Sequence, residues 1–370
     1  MSLPDALARA ARLRERTTDY TSAGLRTMHI EALRHRLRAL GARPVHEERV
    51  LRQWSRAEPQ AHGRRRPEDF LPLALRAALP GLESELQALA VLRADHAGAD
   101  GSRRLLVGLA DGRSVEAVLL PRGGLCVSSQ VGCAVGCVFC TTGIGGLERQ
   151  LGSAEIVAQV ALARSLRLVK KVVFMGMGEP AHNLDAVLEA IDLLGTGGGI
   201  GHKQLVLSTV GDRRVFERLP HGRVKPALAL SLHSTDAALR ARLLPRAPAI
   251  GPAELVALGD AYARATGHPM QVQWTLLEGI NDSADEIEGL VRLLAGKLAV
   301  LNLIPYNAVD GLALARPAAE RSRAMARELH RRGILTKLRQ SAGQDVQAGC
   351  GQLRARHGRA DRRRVEIVAA

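Results

Sequence analysis

The segment Cys133-Ala-Val-Gly-Cys137-Val-Phe-Cys140 places three cysteines close together in the chain. Their spacing is C-x3-C-x2-C, so a single short loop can supply three thiolates. A structural zinc site normally needs four protein ligands, usually supplied as two separated pairs of cysteines. Three thiolates instead suit a [4Fe–4S] cluster in which one iron keeps an open position.

An open iron can bind a second cofactor directly, which four protein ligands would prevent. The spacing therefore fits a cluster whose fourth iron binds S-adenosylmethionine (SAM) and cleaves it reductively to a radical. Zinc binding and free structural thiols are the alternatives for this segment.

The other two cysteines, Cys126 and Cys350, stand apart from this segment. Five cysteines in 370 residues do not form a disulfide framework, and an odd number argues against one. Gly349 and Gly351 flank Cys350, which suits an exposed thiol on an unusual backbone. The ordinary alternative for a lone cysteine is a small buried hydrophobic residue, and it is favoured for both when they are considered alone.

Longer motifs surround these cysteines: Gly124-Leu-Cys-Val-Ser-Ser-Gln-Val-Gly-Cys133, Gly176-Met-Gly-Glu-Pro180 and Gly349-Cys-Gly-Gln-Leu353. From about residue 100 to about residue 355 the chain resembles the RlmN/Cfr family. These are radical-SAM RNA methyltransferases that modify a ring carbon of adenine. The resemblance implies a [4Fe–4S] cluster, SAM and an RNA substrate, either 23S rRNA or tRNA, with the methyl group at C2 or C8. It also implies an electron donor such as flavodoxin or ferredoxin.

The resemblance assigns roles to particular residues. Cys133, Cys137 and Cys140 would bind the cluster. Gly178 and Glu179 would meet the amino group of SAM, since a carboxylate suits an ammonium. The remaining SAM contacts would be neutral hydrogen-bonding residues at strand ends: Ser208, Ser231, His233 and Asn307.

The resemblance also implies a two-step covalent mechanism. One SAM would methylate Cys350, and a second would yield the radical that removes hydrogen from this methyl group. The resulting carbon radical would add to the adenine ring and link the enzyme to RNA. Cys126 would then attack the Cys350 sulfur, which releases the product and leaves a disulfide. Glu116 matches the proposed proton acceptor of the family. The chain departs from the family pattern at Ser341–Gly343, Ala181–Asn183 and Leu243–Pro248, so the exact RNA target stays open.

The composition is strongly basic, with 52 Lys and Arg against 37 Asp and Glu and a formal charge of +15. All but six of the 52 are arginine, and arginine binds phosphate and stacks on bases. This balance favours a polyanionic partner, although many such side chains are simply solvated. Aromatic residues make up 2%, which disfavours a sheet surface that stacks bases.

Hydrophobic periodicity predicts an α/β protein, a partial (β/α)6-type barrel behind a small helical accessory domain. Polar motifs follow several of the predicted strands, at the barrel edge where chemistry gathers. The glycine run 195–201 follows a helix instead, so it is interpreted as a connector. We expect four regions: helices with a possible RNA-binding role at 1–95, a β extension at 96–124, the barrel at 125–353 and a basic tail at 354–370.

No long apolar run and no signal peptide occur in this sequence, and reduced thiols suit the cytoplasm. We therefore expect a cytoplasmic monomer that does not enter membranes. Two other functions remain open: a radical-SAM enzyme of another reaction type, and a non-catalytic RNA-binding protein with a structural metal.

Overall fold

A ten-stranded mixed sheet forms the centre of the computed structural model, which describes residues 27–63, 66–309 and 312–355. Its strand order is β1-β2-β3-β4-β7-β8-β9-β10-β11-β12, and β4 and β7–β12 run parallel to one another. The antiparallel strands β1–β3 extend one edge, and β5 pairs with β6 separately. The strands are β1 Val91–Ala97, β2 Arg103–Gly108, β3 Ser114–Leu120, β4 Gly124–Cys126, β5 Gln130–Gly132, β6 Leu147–Gln150, β7 Lys171–Phe174, β8 Leu205–Thr209, β9 Ala227–Ser231, β10 Met270–Leu276, β11 Ala299–Pro305 and β12 Thr336–Leu338.

Helices alternate with the parallel strands and cover one side of the sheet. The strands are apolar because both of their faces are buried; Leu205, Leu207 and Leu228 are fully inaccessible. None of the described helices is both long and apolar enough to cross a membrane. The helices are α1 Ile30–Ala39, α2 Pro44–Arg56, α3 Pro67–Phe70, α4 Leu73–Ala88, α5 Ser153–Leu166, α6 Leu184–Gly195, α7 Arg213–Arg218, α8 Ala237–Leu243, α9 Pro252–Thr266, α10 Ala284–Leu294 and α11 Ala319–Arg331.

The sheet curls into a partial barrel. Lys171 begins β7 and lies within electrostatic range of Lys337 and Arg339, although several strands separate β7 from β12 in the sheet order. Inside the curve, Val173, Val206 and a pair of alanines of β9 form a small apolar cluster. The predicted α/β partial barrel with a helical N-terminal region is confirmed.

Hydrogen bonds attach the N-terminal helices to the barrel. The amide of Ile30 donates to Ser153 Oγ at 2.8 Å, which joins α1 to the start of α5. Arg56 Nε donates to the carbonyl oxygen of Gly197 at 2.8 Å, and Arg164 of α5 donates to the carbonyl oxygen of Ser55 at 2.7 Å. The glycine run that was interpreted as a connector joins α6 to β8 and contacts the helical region.

Some local predictions differ from the structure. Val91–Ala97 begins within the region assigned to helices but forms β1, because it pairs with β2 although most of its side chains are exposed. β4 is short and ends at Cys126, and the short helix α7 lies between β8 and β9. The proposed division into four regions stays a prediction. A helix predicted at 5–15 and the tail beyond residue 355 lie outside the described residues.

Three arginines of α1 that are candidates for RNA contact have acidic partners. Arg34 and Arg38 pair with the buried carboxylate of Glu47, and Arg36 pairs with Glu85. These three side chains therefore have local ionic partners on neighbouring helices. Arg64 and Arg65, which were also considered for RNA contact, lie outside the described residues.

Candidate active site

The three clustered cysteines lie on a loop that a β-hairpin closes. Strands β5 and β6 flank the loop, and the amide of Cys133 donates to the carbonyl oxygen of Gly146 at 2.9 Å. Within the loop, the amide of Cys140 donates to the carbonyl oxygen of Cys137 at 3.0 Å. The local backbone thus folds so that all three thiols face one cavity at the end of the barrel.

The surroundings of these thiols fit a cluster whose iron–sulfur core is positively charged. Burial raises the pKa of Cys133 to about 12, and burial together with repulsion from Cys140 and Cys133 raises the pKa of Cys137. Bare thiolates are therefore unfavourable here, and bound iron would supply the missing positive charge. Among the described residues, no three His, Cys, Asp or Glu side chains are grouped to bind a single metal ion. A [4Fe–4S] cluster has no need of such a group, since its thiolates bind separate irons.

The Gly176–Pro180 segment forms another wall of the cavity. Gly178 has a φ of +107°, and a Cβ at this position would lie 2.7 Å from the Gln130 side chain, so only glycine fits. Glu179 is buried, and its carboxylate accepts hydrogen bonds from the amides of Ala181 and Val210, both at 3.1 Å. Burial nevertheless raises the pKa of Glu179 to about 7. An ammonium group in the cavity would stabilise its ionised form.

Ser208 and Ser231 line the cavity from the ends of β8 and β9, and His233 follows Ser231 in a left-handed conformation with a φ of 63°. The amide of Thr275 donates to His233 Nδ1 at 2.9 Å. Burial lowers the pKa of His233 to about 3, so the imidazole is neutral and carries its proton on Nε2. His233 can therefore donate one hydrogen bond from Nε2.

Two buried amide groups near the cavity have unpaired polar atoms. Gln273 lines the cavity from β10, and its Nε2 has no hydrogen-bond partner. Asn307 Oδ1 is likewise buried and unpaired. Buried polar groups are normally paired, so one donor and one acceptor here suit a polar ligand such as SAM. The space at the site, with its opening to solvent included, is about 840 Å³.

Cys350 lies on a C-terminal loop that is bound to the cluster loop. The amide of Thr141 donates to the carbonyl oxygen of Gly351 at 2.8 Å, so Cys140 and Cys350 each lie one residue from this hydrogen bond. Thr142 Oγ1 donates to the carbonyl oxygen of Leu353 at 2.7 Å. Cys350 is exposed and lines the same cavity as the clustered cysteines, yet the surrounding protein raises its pKa by desolvation.

Cys126 and Cys350 lie within electrostatic range of each other. Burial raises the pKa of Cys126, and the negative charge of a Cys350 thiolate raises it further. Cys126 ends β4 and packs beside Val173 and Met175 of the barrel interior. All five cysteines are free thiols in this structure. The structure thus brings both lone cysteines to the site that the clustered cysteines form.

Glu116 is one of three predicted site residues, with Cys126 and Asn307, that are not among the residues lining the cavity. It is buried on β3, pairs with Arg104 and accepts a hydrogen bond of 2.7 Å from the amide of Arg354. Its side chain shares a sheet face with Val118, which pairs with Cys126, because alternate strand residues point the same way. The role of Glu116 as a proton acceptor stays a prediction.

Two residues of this site were not found by sequence reasoning. Gln271, Gln273 and Thr275 are all polar residues of β10, and Gln273 differs from the other two only in being buried, which the sequence does not show. Arg240 is buried on α8 beside the cavity, and nothing in the sequence separates it from the other arginines. Its position is evident only in the folded chain.

Comparisons with known proteins point to the same chemistry. A family model described as the radical SAM superfamily matches residues 127–294. A protein of Methylibium petroleiphilum named "probable RNA methyltransferase" is 74% identical over 329 residues, which cover 89% of this chain and 93% of that protein. A Pseudomonas aeruginosa protein with the same description is 64% identical, over 91% of this chain and 98% of that one.

A solved structure also resembles the chain along most of its length. A radical SAM methyltransferase from Sphaerobacter thermophilus superposes with a TM-score of 0.75 and 33% sequence identity. The match covers 89% of this chain and 98% of that protein. The similarity therefore includes regions on both sides of the residues that the family model matches.

Proposed function

Because the chain belongs to the radical SAM superfamily, and within it to the family of its closely similar relatives named as RNA methyltransferases, we propose that it methylates a ring carbon of an adenine in RNA. The carbon would be C2 or C8, as in the RlmN/Cfr enzymes that the chain resembles. The RNA would be 23S rRNA or tRNA. As a radical SAM enzyme the protein uses a [4Fe–4S] cluster and SAM, which together supply the methyl group and the radical.

The residues around the cavity would then divide into those that bind the cluster and those that bind SAM. Cys133, Cys137 and Cys140 would hold the cluster. Glu179 would bind the ammonium of SAM, and the neutral donors and acceptors around it would bind the remaining polar groups of SAM. These residues are Gly178, Ser208, Ser231, His233, Gln273 and Asn307.

The electrostatic interaction between Cys126 and Cys350 is the observation that carries this proposal. A radical SAM enzyme that only cleaves SAM or removes hydrogen from a substrate needs no thiols beyond those that bind its cluster. An adenine ring carbon is a poor nucleophile, so it needs a carbon carrier on the enzyme and a way to release the product. Cys350, exposed in the cavity, suits the carrier. Cys126, half-buried and within electrostatic range of Cys350, suits the resolving thiol.

A cluster of cations near Cys350 supports an RNA substrate. Arg339 acts electrostatically on both Cys350 and Lys171, and Lys337 acts on Lys171 as well. Lys337 and Arg339 are exposed, and they lie at the open side of the partial barrel. Phosphates that flank an extruded adenine would meet these charges. We propose that the protein acts as a monomer and receives electrons from a donor such as flavodoxin or ferredoxin.

A comparison of Cys126→Ala with Cys350→Ala tests the proposal. Cells that express the Cys126→Ala enzyme should contain protein covalently linked to RNA, because the carrier forms a carbon bridge that is not resolved. The Cys350→Ala enzyme should form no such adduct, because no bridge can form. A gel shift that survives denaturation, followed by nuclease digestion and peptide mass spectrometry, would detect the difference.

The same peptide map provides a second measurement. In the native enzyme the peptide that contains Cys350 should carry the added mass of one methyl or methylene group, and the Cys126 peptide should not. Equal RNA adducts in both variants, or an active Cys350→Ala enzyme, would exclude the carrier mechanism. A radical SAM enzyme of another reaction type would then be the better conclusion.

A further inference from the structure

Arg240 is a buried cation in the wall between the barrel and the cluster loop, and the functions described so far do not use it. It lies on α8 and is 4% exposed. One terminal nitrogen, Nη2, donates to the carbonyl oxygens of Val210 and Ser231, which end β8 and β9 at the cavity. These two bonds fix the guanidinium at the edge of the site.

The helix that carries Arg240 is bound to the cluster loop. The amide of Val138 donates to the carbonyl oxygen of Leu243 at 3.1 Å, and the amide of Arg246 donates to the carbonyl oxygen of Val135 at 3.2 Å. Leu243 packs in one apolar cluster with Cys133 and Phe139. The position of Arg240 relative to the cluster cysteines is therefore held by hydrogen bonds and apolar packing.

Arg240 also has an incomplete set of partners. Its Nε is buried and has no hydrogen-bond partner. The charged groups that act on it are Cys137 and Glu179, and both would stabilise its positive charge. Since burial works against that charge, an anionic group nearby is needed to balance it. Glu179 and the cluster with its thiolates are therefore the two anionic groups that can balance the charge of Arg240.

We propose that Arg240 is a positioning residue for the iron–sulfur cluster, where its buried positive charge and unpaired N–H raise the reduction potential of the cluster. Net charge and hydrogen bonding around a cluster are among the factors that set its potential. The one-electron reduced state is the more negative one, so a fixed cation stabilises it. This inference rests on the cluster and not on the proposed RNA substrate.

Redox titration of the reconstituted full-length protein, without SAM, tests the proposal. Arg240→Gln should shift the midpoint potential to more negative values. We expect the ratio of reduced to oxidised cluster at a fixed potential to fall about tenfold, a shift of about 59 mV for a one-electron couple. Arg240→Lys keeps the charge and should stay close to the native protein. Electron paramagnetic resonance of the reduced cluster provides the readout, after iron and sulfide contents are matched.

Arg242→Gln is the matched control, since it removes the same charge from an exposed position of the same helix and should leave the potential unchanged. An unshifted potential in Arg240→Gln would overturn the proposal. So would weakened SAM binding at an unchanged potential, which would make Arg240 a SAM contact. If Arg240→Gln fails to bind a cluster while Arg240→Lys binds one, Arg240 is needed for the structure of the cluster loop and not for the potential, and the proposal is again wrong. A potential that Arg242→Gln shifts equally would show a general effect of charge and would overturn it as well.

Discussion

The side-chain amide of Asn307 donates a hydrogen bond of 3.0 Å to the backbone carbonyl oxygen of Cys350. The same nitrogen donates to Ser341 Oγ at 2.8 Å, so Asn307 joins β11 to two points of the C-terminal loop. Its other polar atom, Oδ1, is unpaired. Asn307 was predicted as a SAM contact from the sequence, and the structure adds contact with the loop that carries Cys350.

Asn307→Asp should therefore impair methyl transfer without loss of the cluster. The substitution keeps Oδ1 but removes both donated hydrogen bonds, and it places a carboxylate against a carbonyl oxygen. A buried hydrogen bond lost in this way costs about 1–3 kcal/mol, so a rate reduction of roughly 10- to 100-fold is expected. Methylated RNA per enzyme would be measured at equal iron content. Gln352→Glu, in which an exposed side-chain bond to the carbonyl oxygen of Ala308 is lost, is the comparison variant and should have the smaller effect.

Cys137→Ala should abolish the cluster and SAM cleavage together. Cys137 is one of three thiols that face the cavity, and two thiolates hold a [4Fe–4S] cluster poorly. Iron and sulfide analysis after anaerobic reconstitution, together with 5′-deoxyadenosine formation, would show both losses. Cys126→Ala serves as the control and should retain the native iron content. One zinc and no iron in the native protein would contradict the assignment.

Glu179→Gln should weaken SAM binding more than it affects the cluster. The carboxylate is buried, and an ammonium that replaces its lost hydration would interact strongly with it. A neutral amide of the same shape cannot supply that charge, so a loss of roughly 10- to 100-fold in affinity is expected, or about 1.5–3 kcal/mol. Equilibrium binding of SAM to the oxidised cluster protein would measure it. Unchanged affinity would remove Glu179 from the proposed SAM contacts.

The cations at the barrel opening should contribute to RNA affinity. We expect the triple variant Lys171→Gln, Lys337→Gln, Arg339→Gln to bind RNA more weakly and with a smaller dependence on salt. Each lost phosphate contact should reduce the slope of log K against log salt by roughly 0.7–0.9. Removal of three charges from α11, at Arg323, Arg327 and Arg331, is the matched control, because these arginines pair with Glu320 and Glu328. Equal losses in both triple variants would indicate a general effect of net charge.

Attachment of the helical region should depend on pH through His29. Its hydrogen bond with Glu189 raises the pKa of His29 despite partial burial. Because the pKa of His29 is higher in the folded than in the unfolded protein, its stabilising effect is complete below about pH 6.5, the pKa in the unfolded chain. The effect is lost as the pH rises through the pKa of His29 in the folded protein. Burial raises the pKa of Glu189, but hydrogen bonds from His29 and Ser153 outweigh this effect and lower the pKa overall. The contribution of the Glu189 carboxylate to stability is therefore lost only as the pH falls into the acid range.

Thermal unfolding of native protein and His29→Gln would test this dependence. The free energy of unfolding of the native protein should exceed that of His29→Gln by more at pH 6 than at pH 8.5. The difference should be well under about 1 kcal/mol, since the His29–Glu189 pair is partly exposed. His35→Gln, on the exposed side of α1, should show no such trend. A difference that grows with pH would contradict the assigned pair.

The sequence alone predicted the cluster ligands and determined the class of fold. The C-x3-C-x2-C spacing is local, so its chemistry can be inferred without knowledge of the fold. Alternating apolar strands and amphipathic helices likewise carry their periodicity in the chain itself, and the parallel barrel follows from them. The observed strands and helices therefore lie close to the predicted ones, except where β1 depends on pairing with β2.

Only the tertiary structure decided which distant residues meet. Cys126 and Cys350 come together because β4 lies in the barrel wall while Thr141, Thr142 and Asn307 hold the C-terminal loop over it. Buried Arg240 and unpaired Gln273 are distinguished from other residues of their type by burial and missing partners alone. Such properties arise from contacts between segments far apart in the chain, and local periodicity carries no information about them.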